Sequence, residues 1–422
     1  MNNKIDFVNT PVADSVNTVI IEAVKKGASD IHFDPSEDGV VIRFRADGVL
    51  EDFATIPEVV KQNVITRVKI ISGMNITETR LPQDGAIKTT LENKELDMRV
   101  SALPTKKGEK IVIRILDFSR SVKGLEYLYF NEKNYKKILQ MIDSPNGIIL
   151  VTGATGSGKS TTVYSFLQRL NQKDVNLITV EDPVEMEMEG MNQVQVNSEI
   201  GLDFAAVLRS ILRQDPDVIM IGEIRDNETA QIAVRASITG HLVLSTLHTN
   251  NSLSTIERLI DMDVERYLLA SALMGIISQK LARKLCDKCK KKRETTLQEK
   301  KLFKLLIQKN VKSVYEACGC PECTNGYRGR IAIQEVLLIN QDIRDAISNN
   351  IGKEKLRNLV YNSEVITLLQ DGLFKVIGGF TSIEEILRLI ELDDEIGDAK
   401  ARRQRKHIEA IKNQNNEIYD EG

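Results

Sequence analysis

A phosphate-binding loop is the strongest chemical signal in this 422-residue sequence. The run GATGSGKST, residues 153–161, matches the pattern G-x-x-x-x-G-K-[ST]. Its glycines let successive backbone N–H groups face phosphate oxygens, and the helix that follows adds its positive N-terminal end. The loop directly follows the apolar run GIILVT and precedes the helix-like run TTVYSFLQRL, as the motif requires. The sequence therefore predicts ATP binding at this loop.

Each part of the loop has an expected contact with the nucleotide. We expect Lys159 to reach the β- and γ-phosphate oxygens, and the hydroxyl of Ser160 to bind Mg²⁺. The predicted nucleotide-binding residues are Gly153, Ala154, Thr155, Gly156, Ser157, Gly158, Lys159, Ser160 and Thr161.

Acidic residues end two of the apolar runs that follow the loop. Glu181 and Asp182 end the run LITV, and Glu223 ends the run VIMIG. Ligands of open α/β sheets bind at the carboxyl ends of the strands, so Glu181 and Glu223 are predicted catalytic residues. One carboxylate would organise the metal ion, and one would orient or deprotonate the attacking water. The sequence leaves open which of the two activates water, and each alone could be an ordinary surface carboxylate.

Two of the four histidines, His241 and His248, bracket the apolar run HLVLSTL. A neutral imidazole at the end of a strand can sense the γ-phosphate or relay its presence to the next subunit. We therefore predict that His248 is a catalytic residue and that His241 binds the nucleotide. For His241, a packed and hydrogen-bonded side chain is an equally good interpretation.

All five cysteines lie in one short segment, which argues against a disulfide framework spread through a secreted fold. Cys286 and Cys289 form one C-x₂-C pair, and Cys320 and Cys323 form a second. This spacing predicts a four-thiolate zinc site, which is structural because no coordination position stays open. Cys318 is an extra cysteine that could compete as a ligand, and unligated cytosolic thiols are the alternative interpretation.

The elements that position these residues follow from the hydrophobic pattern. Continuous apolar runs indicate buried strands of a parallel sheet, and their alternation with helical stretches indicates an α/β doubly wound core. The predicted strands are residues 147–153, 176–182, 217–223 and 241–247.

The first ~120 residues have a different pattern, typical of an α+β module. An amphipathic helix is predicted over 12–26, and Gly27 ends it. The runs VVIRFRADGVL and EKIVIRILD alternate apolar and polar residues, with a hairpin turn predicted at Asp47-Gly48. Arg114 is predicted to lie on the polar face of its strand, opposite the isoleucines.

Bulk properties exclude several classes of protein. The formal net charge is −3, which does not suit a protein that coats nucleic acid. No apolar run approaches the ~20 residues that a membrane span needs, and the first residues do not have a signal-peptide pattern. We therefore expect a cytoplasmic protein. In the charged last thirty or so residues, RRQRKH is expected to be a solvated helix or a frayed tail.

Longer motifs point to a family. The runs ITVEDPVE, LRSILRQDPDVIMIGEIRDNETA and TGHLVLSTLHTN follow the phosphate loop at 178–185, 208–230 and 239–250. In content and order they resemble the aspartate, Walker B and histidine boxes of the type II secretion and type IV pilus ATPases. The resemblance extends to GASDIHFDP and CPECTNGYRGRIAIQEVL, and covers residues 12 to 392 approximately. Two departures are Ala154, where the family commonly has proline, and Ala86, where an arginine is usual.

The resemblance implies a RecA-like P-loop NTPase core and a cytoplasmic homohexamer with each nucleotide between a C-terminal and an N-terminal domain. It implies arginine fingers at Arg99 and Arg114, with Arg209 and Arg213 lining the same cleft. Without the resemblance, we would interpret each of these arginines as a solvent-exposed residue that forms an ion pair. The implied partner is an inner-membrane platform protein, through which membrane association would be peripheral. In agreement with the net charge, we expect no direct binding of nucleic acid.

The predicted domains follow from these patterns. They are an N-terminal α+β (PAS-like) domain over 1–125, a RecA-like ATPase core over 126–284, a tetracysteine zinc-binding subdomain over 285–330, a C-terminal helical part of the ATPase domain over 331–392 and a charged tail over 393–422.

The predicted function is ATP hydrolysis that drives assembly of a type IV pilus or a type II secretion pseudopilus. The alternatives are a pilus retraction ATPase and a conjugative-type secretion ATPase, both disfavoured by the tetracysteine motif, which retraction ATPases of this family typically lack. A helicase would need a basic channel, which the charge does not indicate. A non-catalytic regulator is disfavoured by the intact Lys159, Ser160, Glu181 and Glu223.

Overall fold

The computed structural model describes residues 5–91, 94–116, 124–362 and 364–390. The chain divides into two compact units, with the boundary between Ser121 and Val122. We call them the N-terminal unit and the C-terminal unit. The predicted charged tail over 393–422 lies outside the described residues. Within the described ranges, no helix combines the length and the apolar character that crossing a membrane requires.

In its described residues the N-terminal unit contains two helices and an antiparallel sheet, which makes it α+β as predicted. Its elements are α1 (Val12–Lys25), β1 (Ala28–Ser36), β2 (Gly39–Ala46), β3 (Val49–Pro57), α2 (Glu58–Ile71), β4 (Gln83–Leu91), β5 (Lys94–Thr105) and β6 (Gly108–Leu116). The sheet has the strand order β3-β2-β1-β6-β5-β4.

Alternation along the strands separates a buried face of this sheet from an exposed one. Ile111 and Ile113 of β6 are fully buried, whereas Arg114 between its apolar neighbours is exposed. The predicted hairpin joins β2 to β3, and both Asp47 and Gly48 have positive φ, at 50° and 85°. Such a turn matches the twist of the strands that it connects. Helices α1 and α2 pack on the buried face, because Val16, Val64 and the isoleucines share one hydrophobic cluster.

The C-terminal unit is an α/β layer structure. Its first elements are α3 (Glu132–Ile142), β7 (Gly147–Thr152), α4 (Lys159–Leu170), β8 (Leu177–Glu181), β9 (Asn192–Gln195), α5 (Phe204–Ile211), β10 (Val218–Ile221), α6 (Asn227–Ile238), β11 (Leu242–Leu247), α7 (Ser252–Asp261), α8 (Arg266–Ala272) and β12 (Leu273–Leu285). They are followed by β13 (Lys291–Glu294), α9 (Leu297–Ile307), β14 (Ser313–Glu316), β15 (Tyr327–Leu338), α10 (Gln341–Ser348), α11 (Lys353–Asn362), α12 (Leu368–Ile377) and α13 (Ile383–Leu389).

Within the part of this unit that the structure describes, the sheet has seven strands in the order β15-β12-β7-β11-β10-β8-β9. Every pairing is parallel except that of β12 with β15. Helices cover both faces, so alternate residues of a strand enter different clusters. Ile148 and Leu150 of β7 belong to one cluster, and Ile149 and Val151 to the other. Each such buried side chain contributes about 1.5–3 kcal/mol relative to an exposed one.

One prediction about the segment after the cysteines was wrong. Residues from 331 onward are predicted to be helical, but the structure has β15 there, up to Leu338, before the helices begin. The reason is tertiary pairing: β15 lies antiparallel to β12 from Gly275↔Leu338 to Leu285↔Tyr327. A strand that pairs along its whole length is stabilised by backbone hydrogen bonds that local helix propensity cannot match.

A small cysteine-bearing module lies between the ends of these two strands. It contains the two-stranded β13-β14 sheet and helix α9, which begins with a capping box of Thr296 and Glu299. Leu302 and Phe303 of α9 are fully buried against α12 and α13 in a cluster of their own. The division of the C-terminal unit into the predicted subdomains remains a prediction.

Candidate nucleotide site

The phosphate loop leaves the buried strand β7 at Thr152 and enters helix α4 at Lys159. Gly153, Gly156 and Gly158 all have positive φ, at 150°, 77° and 88°. A Cβ atom on Gly153 would lie 2.4 Å from the carbonyl oxygen of Gln279, so only glycine fits at that position. The loop therefore has the curled backbone that turns N–H groups toward an anion.

Polar side chains of the loop suit a phosphate ligand. Lys159 is 9% exposed, and its Nζ donates to the carbonyl oxygens of Gly153 and Ala154 at 2.9 and 3.2 Å. Burial lowers the pKa of Lys159, and the nearby charge of Glu223 only partly opposes this. Ser157 Oγ is buried and has no hydrogen-bond partner within the described part of the chain. A buried cation and an unpartnered hydroxyl both gain from an anionic ligand.

At the start of α4 the loop presents its remaining side chains outward. Ser160 is exposed, as are Ala154, Thr155 and Gly156, whereas Thr161 is half-buried. An exposed hydroxyl at this position can bind a metal ion that is shared with a nucleotide.

Gln279 of β12 is a site residue that no sequence motif indicates. Its side chain is almost fully buried, donates from Nε2 to the carbonyl oxygen of Ser157 at 2.9 Å and accepts from Thr162 Oγ1 at 2.9 Å. Gln279 thus connects the backbone of the phosphate loop to the first turn of α4 by hydrogen bonds. Its position in the run ISQKLARKL was visible, but no local pattern links that run to a loop more than 100 residues earlier.

Glu181 ends β8 and is 3% exposed. Its Oε2 accepts a short hydrogen bond from the Tyr164 hydroxyl, and its Oε1 accepts from Thr179 Oγ1 at 2.7 Å and Gln193 Nε2 at 3.2 Å. Burial and the neighbouring Glu181 raise the pKa of Tyr164. Protein donors therefore already engage both oxygens of Glu181.

Glu223 lies just beyond β10 in a different environment. Its side chain is 19% exposed, and Arg225 makes a short ion pair with it. His248 Nε2, beyond the end of β11, lies 3.2 Å from the same carboxylate. Burial raises the pKa of Glu223, but the hydrogen bond and charge of Arg225 and the contact with His248 outweigh burial and hold this pKa below its usual range. Arg225 also contacts Asp182 at 3.4 Å.

These groups meet at one edge of the sheet. Strands β7, β8, β10 and β11 run parallel, so their carboxyl ends, the phosphate loop, Glu181, Glu223 and His248 share that edge. Such an arrangement can hold a nucleoside triphosphate, its metal ion and an attacking water.

The structure does not bring His241 to the phosphate loop of the same chain. His241 precedes β11, whose first residue pairs with the first residue of β7, so it lies at the opposite edge of the sheet. Its Nδ1 lies 2.8 Å from the carbonyl oxygen of Ala236. His241 is thus packed and hydrogen-bonded within its own chain, and its role toward a nucleotide or a neighbouring subunit remains a prediction.

Arg209 and Arg213 lie on and just after α5. Arg209 makes a short ion pair with Glu228, and Arg213 Nη1 donates to the carbonyl oxygen of Arg209 at 2.7 Å. Both contacts leave the guanidinium groups on the surface, and their predicted part in nucleotide binding remains a prediction.

Arg99 and Arg114 lie side by side in the N-terminal unit, where their Cα atoms are cross-strand partners on β5 and β6. Arg114 is 61% exposed, and its Nε donates to Asp30 Oδ1 at 2.9 Å. The two guanidinium groups thus belong to the face of the sheet that the helices do not cover. Their predicted role as arginine fingers also remains a prediction.

The four predicted cysteine ligands come together at the ends of β12 and β15. The sulfur atoms of Cys286, Cys289, Cys320 and Cys323 all lie within 4.8 Å of one another. Three of the separations are 3.5, 3.6 and 3.9 Å. Zinc–sulfur bonds of about 2.3 Å place sulfur atoms about 3.8 Å apart in a tetrahedron. The cluster therefore fits a zinc ion, whereas Cys318 is exposed and outside it.

Comparison with known proteins extends over nearly the whole chain. Residues 8–388 match the family model described as type II/IV secretion system protein. The type II secretion system ATPase E of Vibrio cholerae is 44% identical over 382 residues, 90% of this chain and 76% of that protein. The type IV pilus assembly ATPase PilB of Myxococcus xanthus is 44% identical over 388 residues, 90% of this chain and 68% of that protein.

Among solved structures, that of the pilus retraction motor PilT with bound ADP resembles this chain, with a TM-score of 0.60. The two are 27% identical, over 88% of this chain and 96% of the other. The C-terminal unit accordingly has the RecA-like fold that the sequence predicted.

Proposed function

Because this chain belongs to the type II/IV secretion system protein family, we propose that it is an ATP-hydrolysing motor for assembly of a type IV pilus or a type II secretion pseudopilus. The observation that carries the proposal is the shared edge of the sheet, where the phosphate loop lies beside Glu223 and His248. The names of the two relatives above support the assignment to assembly or secretion.

We assign water activation to Glu223, and a supporting role to Glu181. A general base needs lone pairs that can accept a proton from water. Protein donors on α4, β8 and β9 engage both oxygens of Glu181. Arg225 and His248 also contact one oxygen each of Glu223, but its side chain is partly exposed, so that water can reach the carboxylate. Arg225 favours its ionised form, and Glu223 interacts electrostatically with Lys159.

The other residues bind and orient the substrate. Lys159 changes partners from the loop carbonyl oxygens to the phosphate oxygens, and the loop N–H groups hold the β-phosphate. Ser160 would hold Mg²⁺, which supplies charge neutralisation between the β- and γ-phosphates when bound. His248 keeps the carboxylate of Glu223 oriented and senses whether the γ-phosphate is present.

The four cysteines would hold a structural zinc ion that fixes the module between β12 and β15. The cluster favours assembly over retraction, because the family resemblance associates it with assembly and secretion ATPases.

The quaternary part of the proposal follows from the family. We propose a cytoplasmic homohexamer, peripheral to the inner membrane, that acts on a membrane platform protein. Arg99 and Arg114 would act as arginine fingers, and Arg209 and Arg213 would line the cleft; the guanidinium groups of Arg114 and Arg209 are exposed.

Phosphate release by the purified chain tests the motor. Lys159→Ala removes the ammonium group from the phosphate loop, and release should fall about 100- to 1,000-fold. In cells that lack the gene, the wild-type chain should restore surface filaments or secreted protein, and Lys159→Ala should not. Filaments at the wild-type level with Lys159→Ala would contradict the proposal. A deletion strain with more filaments than its parent would indicate a retraction motor instead.

The pH dependence of turnover should reflect the contact between Glu223 and Arg225. Arg225→Ala removes the charge that lowers the pKa of Glu223, so this pKa should rise. A base works only when ionised, hence the acid limb of the kcat profile should move to higher pH. Steady-state phosphate release across the acid range measures the shift. Arg169→Ala, which breaks an exposed ion pair with Asp143, is the matched control and should leave the limb in place.

A further inference from the structure

A buried carboxyl group lies behind the phosphate loop. Glu335 of β15 is fully buried, and none of the roles assigned above uses it. Its Cα partner is Ser278 of β12, and the partner of Ser278 on the next strand is Thr152 of β7. The three residues thus form one cross-strand row, and Thr152 directly precedes the phosphate loop.

Hydrogen bonds connect this row to the loop that carries His248. Ser252, the first residue of α7, donates to Glu335 Oε1 from its hydroxyl at 2.6 Å and from its backbone nitrogen at 3.1 Å. Ser278 Oγ lies 3.5 Å from the Ser252 hydroxyl and 2.9 Å from Thr152 Oγ1. All four side chains are buried. Only three residues separate Ser252 from His248, which contacts Glu223.

The surroundings of Glu335 favour its neutral form. Its second oxygen, Oε2, is buried and has no hydrogen-bond partner within the described residues. Burying an ionised carboxylate with one oxygen lacking a hydrogen bond costs far more free energy than burying a neutral carboxylic acid. Burial raises the pKa of Glu335, and the opposing hydrogen bonds from Ser252 and charge of Lys137 do not cancel this effect.

An apolar residue would fill this position at lower cost if only packing mattered. On the same face of these three strands, the residues nearer the opposite end of the sheet include the apolar Ile148, Leu150, Ile276 and Leu337. The row of Glu335, Ser278 and Thr152 lies at the end that adjoins the phosphate loop and the start of α7.

We propose that Glu335 is a positioning residue that acts as a neutral carboxylic acid and holds the start of α7 against the base of the phosphate loop. By this contact it keeps His248 in reach of Glu223. The expected effect of Glu335 on kcat rests on the proposed ATPase function. The neutral state of Glu335 and its contact with Ser252 are properties of the folded chain and do not depend on that function.

The experiment compares three variants of the full-length chain. Glu335→Gln keeps the shape of a neutral acid and an oxygen that accepts from Ser252, so kcat should stay within about threefold of wild type. Glu335→Leu and Ser252→Ala break the contact, and each should lower kcat about 10- to 100-fold, because small displacements near a reacting group have effects of this size. The dissociation constant of a fluorescent ATP analogue should change less than about threefold in all three. A lower kcat at an unchanged dissociation constant indicates a positioning role, because a collapsed phosphate loop would weaken nucleotide binding as well.

The protonation state has its own readout. The infrared spectrum of the wild-type chain minus that of Glu335→Gln should contain the carbonyl band of a protonated carboxylic acid at neutral pH. A carboxylate band in its place would overturn the inference, as would equal losses of kcat in Glu335→Gln and Glu335→Leu. Wild-type turnover in both Glu335→Leu and Ser252→Ala would overturn it while leaving the proposed function intact. If the wild-type chain did not hydrolyse ATP, both the proposed function and the positioning role of Glu335 would be contradicted.

Discussion

Glu223→Gln is expected to abolish most ATP turnover while leaving nucleotide binding intact. Glutamine keeps the size of the side chain and an oxygen for Arg225 or His248, but it cannot accept a proton from water. Loss of a general base lowers kcat about 100- to 10,000-fold. Phosphate release under saturating ATP measures the loss, and the affinity of a fluorescent ATP analogue should change less than about threefold.

Two companion variants make this experiment specific. Glu199→Gln changes an exposed carboxylate of the same unit and should leave turnover unchanged. Glu181→Gln turns an amide group toward the donors Tyr164, Thr179 and Gln193, so it should reduce the free energy of unfolding by about 1–3 kcal/mol. If Glu181→Gln abolished turnover at unchanged stability while Glu223→Gln stayed active, the two roles would have to be exchanged.

Zinc removal is the second change with a large expected effect. The double variant Cys286→Ser/Cys289→Ser takes away half of the thiolate cluster, so the chain should no longer bind about one Zn²⁺. Binding of zinc by such sites is coupled to local folding, and its loss should open the segment between β12 and β15. Proteolytic cleavage there should speed up by roughly 100-fold, since cleavage follows the population of the open form. Metal analysis by mass spectrometry and limited proteolysis measure the two effects.

Cys318→Ser is the matched control, because Cys318 is exposed and lies outside the cluster. It should keep its zinc and its resistance to protease. Loss of zinc from Cys318→Ser would make Cys318 a ligand, and a wild-type chain purified without zinc, unable to take it up, would exclude a metal centre.

The sequence was informative where chemistry restricts residue type and spacing. The loop from Gly153 to Thr161 and the paired cysteines could be located because phosphate and zinc accept few alternatives. The edge of the sheet that carries Glu181 and Glu223 followed from strand direction. The same reasoning applies to His241: a residue that precedes a parallel strand lies at the opposite edge from one that follows it.

What the sequence could not reveal depends on partners that are distant along the chain. Tyr164 and Gln193, which engage Glu181, are 17 and 12 residues away from it. Gln279 and Glu335 sit on strands whose buried residues include polar ones, so neither a helical nor a strand period stands out. Only the pairing of β12 with β7 and β15 brings these side chains behind the loop.

Strand β12 has a mechanical consequence. One part of it holds Gln279 against the phosphate loop, and its far end joins the cysteine cluster at Cys286, seven residues later. At about 3.3 Å per residue this distance is roughly 23 Å. The antiparallel ladder with β15 continues to Leu285, with one irregularity between Arg283 and Leu285, so a hydrogen-bonded strand pair spans this distance. A displacement of the phosphate loop would therefore act on this strand pair and, through it, on the cysteine module.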